Sequence, residues 1–324
     1  FICNCLKRLK LEMKLSTKQA GHLAMLVVAI LFSLNINVGK YLLSDYISPF
    51  GYTIARTGFA AAAFWLTSVF VRREQVRARD HLLLVFGAVF GIIMNQGLFI
   101  FGLERTSPVN ASIITTSAPL FAMIIAAIVL QEPVTVKKVS GVLLGILGAL
   151  LLIITHHQRL GGASVSSGGM GDVAVIGSSF SYALYIVVTK PLSLRYSSVT
   201  IMKWMFLYAS LGLFPFFYKD LIYSELFKQT DGFPYLMFVY ALFFATYLAY
   251  MLIPVAQKRI RPTTISMYNN LQPVTATFVA IMLGQDTFSF RKIVAGMLVL
   301  AGVYLVTQSK SKKDLDEERK SLPD

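Results

Sequence analysis

The residues best suited to bind a small polar molecule are amides, hydroxyls, rings and cations that interrupt long apolar runs. Such side chains are costly in hydrocarbon, so they face a protein interior or a water-filled path. Amides and hydroxyls there bind a polar solute by hydrogen bonds, and a cation attracts an anionic group. The candidates for such a binding site are Asn37, Lys40, Arg56, Asn95, Gln96, Thr115, Thr116, Tyr182, Trp204, Tyr250, Tyr268, Asn269 and Asn270.

Several of these residues have a plain structural alternative. Asn35, Asn37 and Lys40 share the first apolar run, and the last two, three residues apart, predict one polar face. Lys40 lies near the end of that run, so its ammonium would equally reach the lipid headgroups. Arg56 lies about two turns into the second run, where its alternative role is to hold two helices together through backbone carbonyls. Each tyrosine or tryptophan, taken singly, is also typical of a core or an interface belt.

Residue types that would carry other chemistry lie elsewhere in the sequence. All 16 Asp and Glu residues fall outside the apolar runs, and Cys3 and Cys5 are both near the N-terminus. His156 and His157 are adjacent but have no thiol or carboxylate beside them. No Ser–Lys, Asp–Asp or HExxH pattern is legible within the runs. We therefore predict a protein that is not an enzyme and has no metal or cofactor.

The composition predicts an all-α integral membrane protein. Hydrophobic residues make up 56% of the 324 positions, charged residues 14%, and the mean hydropathy is +0.64. The apolar runs are apolar on every face and long enough for spanning helices, whereas barrel strands alternate over about 10 residues. The net charge of +14 arises between the runs and at the ends. A lipid bilayer therefore accounts for the charge without a nucleic-acid partner.

We predict ten transmembrane helices, flanked by tails at 1–20 and 308–324 and divided by a Gly/Ser-rich loop at 156–171. Met13 is the expected natural start; a cleaved signal peptide is the rival, but no small-residue cleavage site follows the first run. The spans are Gly21–Leu43, Pro49–Val71, Leu82–Leu103, Pro108–Leu130, Val139–Thr155, Val173–Lys190, Val199–Tyr218, Phe233–Ala256, Pro262–Gly284 and Ile293–Thr307.

The basic residues predict the orientation of these spans. With the N-terminus inside, 21 Lys and Arg residues fall in the cytoplasmic tails and loops, and 6 fall on the opposite side. The positive-inside rule therefore places both termini in the cytoplasm and the 156–171 loop in the periplasm.

The two halves of the sequence are copies of each other. A shift of 154 lays residues 104–153 on 258–307 without gaps, and it matches prolines, charges and amides that hydrophobicity alone would not align. Each half holds five spans, so the second enters the membrane upside down, giving inverted repeats at 21–155 and 172–307. The paired Pro119 and Pro273 predict helix bends, which serve either movement or packing alone.

The sequence resembles the drug/metabolite transporter superfamily, in its ten-span branch with two EamA domains. The resemblance covers about 21–307. It rests on "NINVGKYLL", "YTIARTGFAAAAF", "NQGLFIFGLERTSPVNASIITTSAPLFAMIIAAIVLQEPVTVKKVSGVLLGILGALLLI" and its second copy "RPTTISMYNNLQPVTATFVAIMLGQDTFSFRKIVAGMLVLAGVYLV". It implies a carrier in the bacterial inner membrane, often an exporter, with a central cavity lined by both repeats. One departure is Phe206, which stands where the first repeat has Arg56.

The expected function is secondary transport of a small neutral, zwitterionic or anionic metabolite, amino-acid-like, by alternating access. The absence of carboxylates from the spans argues against proton coupling and lipophilic cations, so exchange is favoured. A multidrug efflux carrier of the same family is the alternative. A channel or an intramembrane enzyme is the alternative of another class. The substrate, the direction of transport and the oligomeric state stay open.

Overall fold

A computed structural model describes residues 16–106, 111, 114–159, 169–282 and 290–309, and all regular structure in these ranges is helical. Most of the two tails, Pro108 and most of the 156–171 loop lie outside the described residues. In the first half the helices are α1 (Thr17–Asp45), α2 (Pro49–Val69), α3 (Ala78–Arg105), α4 (Ala118–Val129) and α5 (Val136–Arg159).

In the second half, α6 (Gly169–Val188) leads through a short helix, Lys190–Arg195, to α7 (Ser198–Ile222). A 3-10 turn at Glu225–Lys228 precedes α8 (Gly232–Gln257). The next helix, α9, consists of Pro262–Met267, a 3-10 turn at Tyr268–Asn270, and Leu271–Met282. The last described helix is α10 (Phe290–Gln308).

Serine side chains begin the first two helices. Ser16 accepts a hydrogen bond from the Gln19 backbone N–H, and the Gln19 side chain accepts one from the Ser16 N–H in return. Ser48 accepts from the Gly51 N–H, and Pro49 occupies the first turn, where its missing N–H costs no helical bond. These caps satisfy donors that hydrocarbon could not.

The helices have the lengths and surfaces of a membrane protein. Five, namely α1, α3, α6, α8 and the Ser198–Lys228 segment, are long and apolar enough to cross a bilayer. Shorter apolar helices occur at Ala118–Val129 and Ile293–Gln308. Large apolar side chains cover the outside, as expected where lipid is the solvent. An all-helical membrane protein is therefore confirmed, whereas the count of ten spans stays a prediction.

The predicted helix ends differ from the observed ends by a few residues. For example, α7 continues to Ile222, four residues beyond Tyr218. The predicted fourth span is interrupted, because described residues 111, 114 and 115 are helical, the chain makes a turn at 116–117, and α4 follows from Ala118. Turn residues beside Pro119 account for this break, which hydrophobicity alone does not reveal.

Contacts between helices follow the repeat. The helix α2 packs along α7 and α5 along α10, and these are equivalent helices of the two halves. Likewise α6 packs on α3, while α1 packs on α8. The start of α1 meets the end of α8 at Gly21, where a Cβ would lie 2.9 Å from the Arg259 Cβ. The start of α6 meets the end of α3 at Gly171, where the distance to the Arg105 Cβ is 3.0 Å. The structure therefore has an approximate two-fold relation between its halves.

Glycines bring α5 and α10 into backbone contact. A Cβ on Gly302 would lie 2.6 Å from the Gly141 carbonyl oxygen and 2.6 Å from the Gly145 backbone nitrogen. On the same face, a Cβ on Gly148 would lie 2.7 Å from the Ala295 carbonyl oxygen. Only residues without a side chain permit this approach, which is how small residues join helices in membranes.

Two lysines at the ends of α1 and α6 make equivalent contacts in the two halves. Lys40 Nζ donates to the carbonyl oxygens of Leu103 (2.9 Å), Glu104 and Thr106 (both 3.1 Å) at the end of α3. Lys190 Nζ donates to the Ile260 carbonyl oxygen at 3.0 Å, and Ile260 stands 154 positions after Thr106. A cation at a helix C-terminus stabilises its unpaired carbonyls. Each lysine therefore caps the third helix of its own half.

Candidate functional site

A central cavity lies where the two halves meet. Its volume is about 80 Å³. One buried water needs about 10–15 Å³ by the same measure, so the cavity has room for several waters or a small solute. The lining comes from α1, α2, α3, α6, α8 and the breaks at α4 and α9, and consists of Phe32, Asn35, Ile36, Arg56, Asn95, Gln96, Phe99, Thr115, Ser178, Ser179, Tyr182, Tyr250, Asn269 and Gln272.

Arg56 is the one charged side chain in this described lining. It lies about two turns inside α2 and is 4% exposed. Its Nε donates to Thr246 Oγ1 at 2.7 Å, and its Nη2 donates to the Ala245 carbonyl oxygen at 3.3 Å. The guanidinium carbon lies 5.4 Å from the centre of the Tyr52 ring. Both readings of Arg56 therefore hold: it joins α2 to α8, and it also lines the cavity.

Among the described residues, no carboxylate pairs with Arg56. A guanidinium has five N–H donors, of which the two contacts above use one on Nε and one on Nη2. The remaining donors have no partner in the described part of the chain. A buried charge without an opposite charge is unfavourable, so this site is suited to an anionic group.

The buried acid Asp80 and the half-buried acid Asp172 lie at helix ends and not in the cavity. Asp80 accepts from Arg195 Nη1 at 2.9 Å and from the Tyr196 hydroxyl at 2.7 Å. Asp172 accepts from Thr106 Oγ1 at 2.7 Å. In the described ranges, three or more metal-binding side chains do not converge anywhere. The described cavity therefore presents a positive charge and neutral polar groups.

Two π-helical segments directly precede residues of the cavity wall. They span Val89–Met94 in α3 and Phe243–Leu248 in α8, 154 positions apart. The wider turn changes the backbone hydrogen bonding, and side chains of other helices bind carbonyls of each segment. The Tyr250 hydroxyl donates to the Gly91 carbonyl oxygen at 3.3 Å, and Arg56 donates to Ala245, which is the equivalent position. The segments thus bring Arg56 and Tyr250 together from opposite halves.

Asn95 connects the two halves through hydrogen bonds. Its Nδ2 donates to the Ser178 backbone carbonyl oxygen and to the Ser178 hydroxyl, both at 3.1 Å. The Asn95 backbone carbonyl oxygen in turn accepts from the Ser178 hydroxyl at 2.8 Å. The Tyr250 hydroxyl approaches Asn95 Oδ1 at 3.4 Å. Asn95 is therefore held in place by α6 and α8.

Three other lining residues have polar atoms that lack partners. Both polar atoms of Gln96, the Ser179 hydroxyl and the Tyr182 hydroxyl are buried and make no hydrogen bond of normal geometry among the described residues. Leaving a buried polar group unsatisfied costs about 1–3 kcal/mol. Because all three lie on the cavity wall, a solute or ordered waters in the cavity would satisfy them.

The paired prolines stand just after breaks in helicity. The turn at 116–117 precedes Pro119, and the 3-10 turn Tyr268–Asn270 precedes Pro273. Thr115 and Asn269, one at each break, line the cavity. The Ser33 hydroxyl donates to the Gln272 carbonyl oxygen at 3.0 Å beside the second break. The breaks therefore carry lining residues of both halves.

The structure brings seven of the predicted site residues together at the cavity: Arg56, Asn95, Gln96, Thr115, Tyr182, Tyr250 and Asn269. Six lie outside its lining. Asn37 is exposed on the other face of α1, and Lys40 is used as a helix cap. Thr116 and Asn270 are buried but do not line the cavity, Trp204 stacks with Tyr208, and the Tyr268 hydroxyl bonds to His22 Nδ1.

In α1 the structure places Asn35, and not Asn37, at the cavity. Asn35 is buried and accepts from the Tyr52 hydroxyl at 3.3 Å, whereas Asn37 faces outward. A helix apolar on all sides has no polar stripe to reveal its inner face. The lining residues absent from the prediction are Phe32, Asn35, Ile36, Phe99, Ser178, Ser179 and Gln272. The serines have one available signal, a hydroxyl pair in the middle of an apolar run.

A polar cavity between two related halves of a helical membrane protein is typical of membrane carriers. The EamA-like transporter family model matches residues 19–154 and 169–308, one copy in each half. The chain belongs to this family.

Two of three similar proteins are named as uncharacterized transporters, and the third is named as a WAT1-related protein. An uncharacterized transporter, YyaM, of Bacillus subtilis is 28% identical over 87% of this chain and 93% of its own. The WAT1-related protein At3g53210 of Arabidopsis thaliana is 23% identical, over 90% and 86%. An uncharacterized transporter of Methanothermobacter thermautotrophicus is 25% identical, over 88% and 85%.

A solved crystal structure has the same fold. It is 16% identical, has a TM-score of 0.69, and the match covers 90% of this chain and 98% of the other.

Proposed function

We propose that this transporter carries a small neutral, zwitterionic or anionic metabolite, amino-acid-like in size and polarity, through the central cavity. The observation that carries the proposal is the cavity wall. It combines the buried Arg56, which pairs with no carboxylate among the described residues, with polar atoms of Gln96, Ser179 and Tyr182 that lack hydrogen-bond partners there. A solute with a carboxylate and a few polar groups satisfies both.

The proposed mechanism is alternating access in an inverted ten-span bundle. Support comes from the approximate two-fold relation, because two equivalent halves can exchange roles at the two membrane faces. The π-helical segments and the breaks before Pro119 and Pro273 lie at the cavity, where a change of backbone conformation would open or close it. No acid of the described lining is available to relay a proton, so exchange or facilitated export is proposed.

Counterflow in proteoliposomes tests this function. Vesicles loaded with one unlabelled metabolite at millimolar concentration should accumulate the labelled metabolite transiently and saturably, whereas empty vesicles should not. A panel of amino acids, hydroxy acids and neutral polyols, tested one at a time, identifies the chemical class of the transported metabolite. A thermal-shift screen with the same panel reports binding independently. Unsaturable flux without counterflow would indicate a channel, and proton-dependent export of quaternary ammonium dyes would indicate the multidrug alternative.

The proposed orientation is both termini in the cytoplasm of a bacterial inner membrane. Reporter fusions at residue 20 and at residue 309, active only in the cytoplasm, should both give signal. A reporter inserted at 160–168 should behave as periplasmic, since the basic residues lie on the other face. A cytoplasmic signal from the 160–168 insertion would contradict the ten-span arrangement.

A further inference from the structure

A cluster of aromatic residues around a lysine lies on the outer surface of α2, α3 and α7, away from the cavity. We call it the Lys203 patch, and it consists of Trp65, His81, Lys203, Trp204 and Tyr208. Lys203 Nζ lies 5.1 Å from the centre of the Trp65 ring and 6.0 Å from that of Trp204. A cation over an indole face is attracted to the ring. The ammonium is therefore held at a fixed place within the apolar part of α7.

The rings themselves form a connected arrangement. Trp65 and Trp204 meet edge to face with centres 5.5 Å apart, and His81 meets Trp204 at 5.0 Å. The Tyr208 hydroxyl and His81 Nδ1 are 2.7 Å apart. Trp204 also stacks on Tyr208 at 5.8 Å. These contacts fix the rings without covering them, since Trp65 stays 39% exposed.

The positive charge of Lys203 is not neutralised by the described residues. No ion pair to Lys203 is present in the described ranges, and the acids near this end of the bundle have other partners. Asp80 binds Arg195 and Tyr196, and Glu74 accepts from the Ser197 N–H and hydroxyl, each at 2.9 Å.

The surroundings of the patch are apolar on one side and basic on the other. Phe70 and Leu82 are 80% and 76% exposed at the ends of α2 and α3. Arg72 and Arg73, which follow Val71 in the connection to α3, are exposed. This end of the bundle thus combines exposed apolar side chains with cations, and a phospholipid of the cytoplasmic leaflet combines acyl chains with an anionic headgroup.

We propose that the Lys203 patch binds the headgroup of an anionic phospholipid, with its phosphodiester at Lys203 and an acyl chain against the exposed ring of Trp65. The ligand is a lipid and not a soluble anion, because Lys203 lies within the apolar part of α7 beside the lipid-facing ring of Trp65, where a lipid headgroup has access from the bilayer. This site is separate from the proposed transport site, so the two stand or fall independently.

Lipid-dependent melting of the purified full chain in neutral detergent tests this site. Dioleoyl phosphatidylglycerol should raise the melting temperature of the native protein by at least about 3 °C, since a ligand of the folded state stabilises it. Dioleoyl phosphatidylcholine should not. Lys203→Gln should lose at least half of the shift, while Lys203→Arg should keep it. The matched control is Lys228→Gln, which removes an exposed lysine paired with Glu225 and should keep the full shift.

Three results would overturn the proposal. They are an equal phosphatidylglycerol shift in Lys203→Gln, an equal shift with phosphatidylcholine, and an equal shift with glycerol 3-phosphate alone, which would indicate a soluble-anion site. If Lys203→Gln does not fold, Trp65→Leu replaces it, because that change removes the exposed ring beneath the ammonium. Native mass spectrometry should then show retained phosphatidylglycerol on the native chain and less on Trp65→Leu; equal retention would reject the site.

Discussion

Arg56→Gln is expected to reduce uptake of a carboxylate-bearing substrate by about 10- to 100-fold at subsaturating concentration. A hydrogen bond to a charged group contributes about 1.5–3 kcal/mol, which corresponds to this range. Glutamine keeps a polar side chain beside Thr246 and Ala245, so the folded yield should change little. The measurement is counterflow of the metabolite identified in the proteoliposome panel, with the amount of folded protein determined by size-exclusion chromatography.

Two variants separate the charge of Arg56 from its geometry. Arg56→Lys keeps the charge but loses the paired N–H donors, so it should transport at an intermediate rate. Arg105→Gln is the matched control, because Arg105 is partly exposed at the end of α3, stacks on Phe101 and pairs with Glu104. It should transport like the native protein. Native uptake by Arg56→Gln would reduce Arg56 to a link between α2 and α8.

Gly302→Ala is expected to destabilise the protein strongly. The new Cβ would lie 2.6 Å from the backbone of both Gly141 and Gly145, and backbone atoms cannot move aside as a flexible side chain can. Overpacking costs about 1–3 kcal/mol or more. The melting temperature should therefore fall by about 2–4 °C or more, with a lower yield of folded protein.

The control for this change lies on the same helix. Gly296 is also in α10, but a Cβ there would have its nearest neighbour at 4.0 Å, on Val274. Because alanine is the better helix former by about 0.5–1 kcal/mol, Gly296→Ala should be neutral or slightly stabilising. Equal melting temperatures for the two variants would contradict the close contact of α5 with α10.

Much of the fold is predictable because the sequence repeats itself. The shift of 154 that matches Pro119 with Pro273 also relates the two π-helical segments and the carbonyls that Lys40 and Lys190 cap. The π-helical segments themselves were not predicted, since one extra residue in a turn leaves the apolar composition unchanged. The sequence repeat thus reveals the two halves, but it does not reveal the irregular turns inside them.

The candidate site was predictable only at positions where a charged or amide side chain interrupts an apolar run, because such a side chain is costly in hydrocarbon. Arg56, Asn95 and Gln96 stand out in apolar runs, and all three line the cavity. Trp204 did not follow this rule, because a large amphipathic ring suits a surface as well as a cavity. Phe32 and Phe99 carry no signal at all, since a phenylalanine on the cavity wall has the same sequence context as one facing lipid.

The contacts of Arg56 also set the order in which the chain can be completed. Its partners Ala245 and Thr246 follow it by 189 and 190 residues, so they are synthesised long after α2 has left the ribosome. An arginine at the centre of an inserting helix costs about 2.5–3.5 kcal/mol. This cost makes the transfer of α2 into lipid less favourable when the helix is alone. The guanidinium obtains its hydrogen-bond partners on α8 only when the second half is in place, so the second half stabilises α2 within the membrane.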